Sequence, residues 1–244
     1  MRTYAIGDIH GHLALLDAAH ALIAADRAAT GDDAAPVVHL GDLVDRGPDS
    51  RGVIARLMEG IAAGEPWVVL KGNHDALFTL FLDDPAAHDL GLRPDLSWLH
   101  PRLGGAETLA AYGVRSAADR PVAAVWADAR AAVPQAHRDF LNGLPLMHRR
   151  GDVLFVHAGI RPGLPMTAQI ETDLLWIRDT FLNDRRDHGA LIVHGHTVVE
   201  RPRHYGNRVN LDTGAAYGGP LTAAVIEGRD VFVLTPAGRV PLTP

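Results

Sequence analysis

The sequence predicts an α/β chain, in the mixed α+β sense, with two mixed β-sheets packed as a sandwich and helices outside. Three observations predict it. Five short apolar runs are spread along the 244 residues, stretches with helical spacing of apolar residues lie between them, and each run leads into a short polar motif bracketed by glycine. With 47% apolar residues and no long polar linker, residues 1–244 are expected to form one domain with a sizeable core.

The first run, Thr3-Tyr4-Ala5-Ile6, reads as a buried strand and leads into Gly7-Asp8-Ile9-His10-Gly11. Leu13 to Ala29 carries apolar residues at helical spacing and stops near Thr30-Gly31. Val37-Val38-His39-Leu40 is the second strand, followed by Gly41-Asp42-Leu43-Val44-Asp45-Arg46-Gly47, and Ser50 to Ala63 reads as a helix capped by Asp49 or Ser50. Trp67-Val68-Val69-Leu70 meets Gly72-Asn73-His74-Asp75. Ala76 to Arg150 is largely helical by composition and contains Trp98, Tyr112 and Trp126. Val153-Leu154-Phe155-Val156 precedes His157-Ala158-Gly159, and Leu191-Ile192-Val193 precedes Gly195-His196-Thr197. Leu221 to Val233, with Glu227-Gly228-Arg229-Asp230 in the middle, reads as a β-hairpin. If the five strands share one sheet, every motif falls on a loop at its carboxyl edge, and side chains distant in sequence become neighbours.

Six potential metal ligands sit in those motifs: Asp8, His10, Asp42, Asn73, His157 and His196. Asp8 and His10 are two residues apart, so on extended backbone both side chains point the same way and can hold one ion. Neighbouring glycines let the backbone turn sharply and let a phosphate approach. A mixture of carboxylates, imidazoles and one amide oxygen suits divalent ions such as Mn²⁺, Fe²⁺ or Zn²⁺, and a chain without cysteine offers no soft thiolate site.

The five motifs, in this order from Gly7 to Thr197, resemble those of the metallophosphoesterases, in particular the branch of the serine/threonine protein phosphatases and the symmetrical diadenosine tetraphosphate hydrolases. The resemblance implies the calcineurin-like fold and two divalent ions, with Mn²⁺ expected and Fe or Zn as alternatives. It also implies that Asp8, His10 and His196 hold one ion, Asn73 and His157 the other, and that Asp42 bridges them. Two such ions share a water, lower its pKa and aim the hydroxide in line at phosphorus, without a protein nucleophile. His74 is then the acid that protonates the leaving oxygen, and Asp45 orients it; such help is worth about 10² to 10⁴-fold in rate. Arg46 is expected to hold the phosphate through its planar fork, alongside Asn73. Arg178, in Asp173-Leu174-Leu175-Trp176-Ile177-Arg178, resembles a second phosphate-binding arginine, although an arginine after an apolar helix also reads as a solvated end. For Tyr217 a place in the same pocket and plain loop packing are both open. His157 opens His-Ala-Gly-Ile where eukaryotic relatives have His-Gly-Gly, which leaves the ligand in place.

Among the other histidines, His39 and His194 read as ordinary buried, hydrogen-bonded residues, with support of the metal ligands as the alternative. His12 is open between the two, and His20, His88, His100, His137, His148, His188 and His204 are expected on the surface.

A formal charge of −6 argues against a general nucleic-acid binder. No apolar run is long enough to cross a membrane, and a strand beginning almost at Met1 leaves no room for a signal peptide, so a cytoplasmic enzyme is expected. No cysteine occurs, so disulfides are excluded and redox chemistry does not reveal the compartment; the oligomeric state is not legible. The expected partner is a phosphorylated protein, or a phosphorylated small molecule or nucleotide. Val44-Asp45-Arg46-Gly47-Pro48 resembles the protein phosphatases because it keeps Asp45, which is expected to be replaced by a small residue in the symmetrical dinucleoside hydrolases. Trp98 to Gly113 also resembles small bacterial protein phosphatases. Only 14 aromatic residues are present to stack bases or line apolar peptide grooves, and Arg201, Arg203 and Arg208 read as solvated surface or as a polyphosphate clamp. Phosphoserine or phosphothreonine hydrolysis comes first, dinucleoside tetraphosphate cleavage second, and a non-catalytic scaffold last, because all six ligands are retained.

Overall fold

A computed structural model describes residues 1–244. Along the chain the first half contains β1 (Arg2–Ile6), α1 (Leu13–Thr30), β2 (Val37–His39), α2 (Ser50–Ala62), β3 (Trp67–Val69), α3 (Asn73–Asp83), α4 (Gly105–Ala111), α5 (Val122–Ala132) and α6 (Gln135–Asn142). The second half adds β4 (Met147–Arg150), β5 (Val153–Val156), α7 (Glu171–Trp176), α8 (Asp179–Leu182), β6 (Leu191–His194), β7 (Arg203–His204), β8 (Arg208–Asn210), β9 (Ala223–Glu227), β10 (Asp230–Thr235) and β11 (Gly238–Pro241).

The five apolar runs do form strands, but they do not share a sheet. One six-stranded sheet has the order β11-β10-β9-β1-β2-β3, and a five-stranded sheet has the order β4-β5-β6-β8-β7. Both are mixed: β1, β2 and β3 run parallel, as do β5, β6 and β8, while β9 pairs antiparallel with β1 and β4 with β5. Each strand's two-residue alternation decides what it buries. Ala5, Val38, Leu40 and Leu70 face Phe155, Leu191, Val193 and Val209 in the layer between the sheets. Tyr4, Ile6, Val37 and Val69 point the other way, against Leu16 and Ile23 of α1 and Val53, Ile54 and Leu57 of α2. On the outer face of the second sheet, Leu154, Val156 and Ile192 pack with Leu174, Ile177 and Phe181. The sandwich needs both faces of both sheets covered, which explains why these runs read as apolar throughout.

Helix signals behave as expected. The α1 helix ends at a left-handed Gly31 whose N–H returns to Arg27 O, and the Asp49 carboxylate caps α2 by accepting from Gly52 N–H at 2.7 Å. The Ala76 to Arg150 stretch departs from expectation twice: residues 84–104 form turns and no helix, and Met147–Arg150 is a strand, pairing antiparallel with β5. The expected hairpin is β9–β10, extended by β11. No helix is long and apolar enough to cross a membrane.

Of the seven histidines expected on the surface only His88 is exposed; His204 is buried and the other five are partly buried. His204 is only 9% exposed, and His20 is partly buried, stacked on Trp67 with ring centroids 4.3 Å apart. The His20 and His39 Nε2 atoms lie 2.9 Å apart, so one donates to the other. Burial holds fully enclosed His39 down at about 3. A histidine whose pKa is lower folded than unfolded stabilises the fold above the unfolded value near 6.5, and that stability is lost as pH falls. Lowering the pH from about 7.5 to about 5 should therefore cost about 2 kcal/mol from His39 alone. Urea titrations at the two pH values test this: His39→Asn should remove that share of the acid sensitivity, and an unchanged difference would refute the assignment.

Candidate metal centre

The five motif loops converge at the carboxyl ends of β1, β2, β3, β5 and β6, where the two sheets meet. Six non-glycine residues have a left-handed backbone, and five of them lie here: His10, Asp42, Asp45, Arg46 and His196, the sixth being Ser116. Such a conformation costs about 1–3 kcal/mol at each position and persists only where surrounding contacts impose it. Its concentration on polar motif residues points to function rather than to folding. Glycines are required here chiefly by close approach. A Cβ on Gly72 would collide with the Asp42 backbone, and one on Gly195 would collide with the Asp8 carboxylate.

Asp42 is the hub. Its Oδ2 lies 3.4 Å from His10 Nε2 and its Oδ1 lies 3.4 Å from His157 Nε2. Asp42 thus belongs to two groups able to hold a cation, one with His10 and His74 and one with His157 and His196, the ligand atoms in each lying within 4.8 Å of one another. Asn73 Oδ1 joins the second group, 2.9 Å from His157 Nε2 and 2.8 Å from His196 Nδ1. The side chains are grouped differently from the expected division of ligands. The His196 ring sits with Asn73 and His157, while its backbone N–H donates to Asp8 Oδ2 at 2.9 Å. The left-handed turn at His196 sends main chain and ring in different directions, which residue type and spacing cannot reveal.

The donor set fits divalent cations. His10 and His157 give their Nδ1–H to the carbonyls of Val44 and Leu40, at 2.8 and 2.9 Å, leaving both Nε2 lone pairs facing Asp42. Burial pushes His10, His157 and His196 below the usual imidazole range, keeping them neutral as ligands must be. Asp42 behaves oppositely: burial alone would raise it, yet His157, His74, His10 and His196 hold it well below the usual carboxylate range. Asp8 is driven well above that range by burial, then by Asp212 and Asp42, and Asp212 itself is pushed up to about 6. Asp8 Oδ1 and His196 Nε2 are buried with no hydrogen-bond partner. Crowded carboxylates with orphaned donor atoms are what a cation would neutralise.

Beside this centre, His74 Nδ1 donates to Asp45 Oδ2 at 2.7 Å. Arg46 donates through Nη1 to His10 Nε2 at 2.7 Å and through Nη2 to His74 Nε2 at 2.9 Å, and its guanidinium lies 5.3 Å from the centroid of the Tyr217 ring. Tyr217, 67% exposed, therefore stands at the rim. Arg178 is exposed, donates to Thr197 Oγ1 at 3.3 Å, and adds its charge to the burial that lowers His157 and His196. All eleven candidate residues are thus gathered in one region. Arg208 is not available to a ligand: it is 5% exposed, stacks 3.5 Å from the Tyr205 ring centroid and donates to Leu182 O. His39 and His194 are buried and hydrogen-bonded away from the ligand atoms, His39 to His20 and His194 to Arg208.

Four supporting residues were not foreseen. Asp75 binds two motif loops together, accepting from Leu43 N–H at 2.9 Å and Gly72 N–H at 2.8 Å. Asp212 adds a further buried carboxylate, and Trp98 and Thr108 both donate to Asp45. Asp75 lies inside a motif already singled out, and Trp98 and Thr108 flank the Gly104-Gly105 pair; these were the available signals.

The chain matches the calcineurin-like phosphoesterase family over residues 1–225. It is 28% identical over 225 residues to an asymmetrical bis(5'-nucleosyl)-tetraphosphatase of Anoxybacillus flavithermus, covering 89% of this chain and 87% of that one. It is also 28% identical over 200 residues to serine/threonine-protein phosphatase 1 of Salmonella typhimurium, covering 78% of each. The nucleotide-cleaving relative is thus of the asymmetrical type, where the motifs had suggested the symmetrical one. Among solved structures, a cold-active protein-tyrosine phosphatase of a psychrophilic Shewanella superposes with a TM-score of 0.65 at 18% identity, covering 99% of this chain and 80% of that one.

Proposed function

The chain belongs to the calcineurin-like phosphoesterase family and is a metal-dependent phosphoester hydrolase; from that premise we propose that it removes phosphate from phosphoserine or phosphothreonine in proteins. The observation that carries this reading is the Asp45–His74 pair, 2.7 Å apart and buried. An alkoxide released from serine or threonine is a poor leaving group and gains most from a proton delivered by an oriented acid. A nucleotide released from a dinucleoside polyphosphate departs as a stabilised phosphate and needs that help less.

In this reading Asp8, His10 and Asp42 would hold one divalent ion, and Asp42, Asn73, His157 and His196 a second, with Mn²⁺ the expected metal. The pair would supply an activated water and neutralise charge on the phosphoryl oxygens. The protein's own groups do the rest. Arg46 would exchange the His10 and His74 ring nitrogens for phosphate oxygens once His10 is engaged, and its fork matches a terminal dianion. Arg178 would approach the same group from the α7 side and Tyr217 would cover the rim. His74 would donate the proton from Nε2 while Asp45 fixes the ring through Nδ1.

The resemblance to a tetraphosphatase over most of both chains keeps dinucleoside tetraphosphate cleavage as the second reading. Diadenosine tetraphosphate has only bridging phosphates, so it gives Arg46 no terminal group to grip. Measured with Mn²⁺ at equal metal loading, kcat/KM should be higher for a phosphothreonine peptide than for diadenosine tetraphosphate. A clear preference for the dinucleotide would replace the first reading by the second.

A further inference from the structure

The segment from Trp98 to Thr108 closes over the turn that carries Asp45 and Arg46, and it is tied to that turn by four hydrogen bonds. Thr108 Oγ1 donates to Asp45 Oδ1 at 2.7 Å and accepts from Asp45 N–H at 2.8 Å. Trp98 Nε1–H donates to Asp45 Oδ2 at 2.9 Å, and Gly104 O accepts from Arg46 N–H at 3.3 Å. Ser50 Oγ, from α2, accepts from the same Asp45 N–H at 3.1 Å. Thr108 is fully buried and Trp98 is 5% exposed. The indole stacks on Phe78 at 5.1 Å and packs on Phe81 at 4.8 Å, both on α3, the helix whose first turn holds Asn73 and His74. A Cβ on Gly105 would sit 2.6 Å from the indole, so glycine is what lets Trp98 reach Asp45.

A buried carboxylate with three side-chain donors has no freedom to turn. Each donor removed leaves an Asp45 oxygen short of a partner in a region without solvent, and the carboxylate then rotates or shifts to recover one. His74 Nδ1 shares Oδ2 with Trp98, so any such rotation tilts the imidazole. The two left-handed residues, Asp45 and Arg46, are also held in that conformation by these contacts.

We propose that Trp98 and Thr108 are positioning residues for acid catalysis, acting through Asp45 to aim His74 at the leaving oxygen. The proposal rests on the reading of His74 as the proton donor. Proton delivery demands placement to within a few tenths of an ångström, so loosening Asp45 should cost rate where a proton is needed and little where it is not.

The experiment compares an alkyl phosphate with 2,4-dinitrophenyl phosphate, whose leaving group departs without a proton, using the metal-loaded enzyme. Trp98→Phe removes the N–H together with part of the indole while keeping an aromatic ring in the stack, and Thr108→Val keeps the volume and removes the hydroxyl. Each should lower kcat on the alkyl phosphate by about 10- to 100-fold and on the dinitrophenyl ester by less than about 3-fold. Thr108→Ser, which restores the hydroxyl, should recover most of the loss. Metal content per chain should be that of the parent in all three. Equal losses on both esters, or no loss on either, would overturn the proposal. Should Thr108→Val fail to fold, the Trp98→Phe and Thr108→Ser rates decide the matter. His74→Ala, run beside them, separates the two levels. If it shows no dependence on leaving group, the role of His74 itself fails; if it does and the positioning variants do not, only the present proposal fails.

Discussion

Asp42→Asn should bring hydrolysis close to background and strip the protein of metal. The reason is geometric: the two Asp42 oxygens face different histidines, Oδ2 toward His10 and Oδ1 toward His157, each at 3.4 Å. An amide keeps one oxygen and places an NH₂ group against the other imidazole, so one of the two groups loses its shared anionic ligand whichever way the amide turns. Charge works in the same direction. Asp42 is held well below the usual carboxylate range despite its burial, so it is the dependable negative charge of the centre, while burial drives neighbouring Asp8 toward its neutral form in the absence of a cation. Loss of transition-state charge stabilisation worth several kcal/mol corresponds to about 10³-fold or more in rate. Elemental analysis and phosphatase assay on the same preparation test this. An Asp42→Asn protein with full metal content and parental activity would remove Asp42 from the hub.

Much of this centre was legible because it is written in short motifs at the ends of apolar runs. Asp8 follows β1, Asp42 follows β2, Asn73 opens α3 after β3, and His157 and His196 follow β5 and β6. Strand burial makes the runs visible, and the chemistry needs glycine where loops touch, as at Gly72 beside Asp42 and Gly195 beside Asp8. The rest was hidden for specific reasons. That the five strands divide between two sheets cannot be read from runs that look alike, because both sheets are covered on both faces. Strands β7 and β8 are two and three residues long and carry Arg203, Arg208 and Asn210, so no apolar run announces them. Arg208 looks like a surface cation in sequence, but Tyr205 and Phe181 stack on it and bury it. The partnership of His196 depends on a single left-handed residue, and the donors to Asp45 come from 53 and 63 positions further along the chain. Nothing local to Asp45 names them.

His74→Ala should separate the acid from the metal centre. His74 lies in the same group of potential ligands as His10 and Asp42, so its ring has two conceivable duties, and the substrate's leaving group distinguishes them. Its Nδ1 is committed to Asp45 at 2.7 Å, leaving only Nε2, which in the absence of substrate accepts from Arg46 at 2.9 Å. If Nε2 delivers a proton to the leaving oxygen, alkyl phosphates should lose about 10² to 10⁴-fold in kcat, whereas an activated aryl phosphate, whose leaving group is stable as an anion, should be nearly spared. The backbone need not suffer, because the His74 N–H bond to Asp42 Oδ1 at 3.0 Å survives truncation to alanine. Metal content should likewise stay at the parental level, since Asn73, His157 and His196 on one side and Asp8, His10 and Asp42 on the other are untouched. A plot of log kcat against leaving-group pKa makes the distinction quantitative: removing the acid should steepen the dependence, because charge on the departing oxygen is no longer neutralised in the transition state. Equal losses across the series, accompanied by lost metal, would instead make His74 a ligand and leave the leaving group to be protonated by solvent.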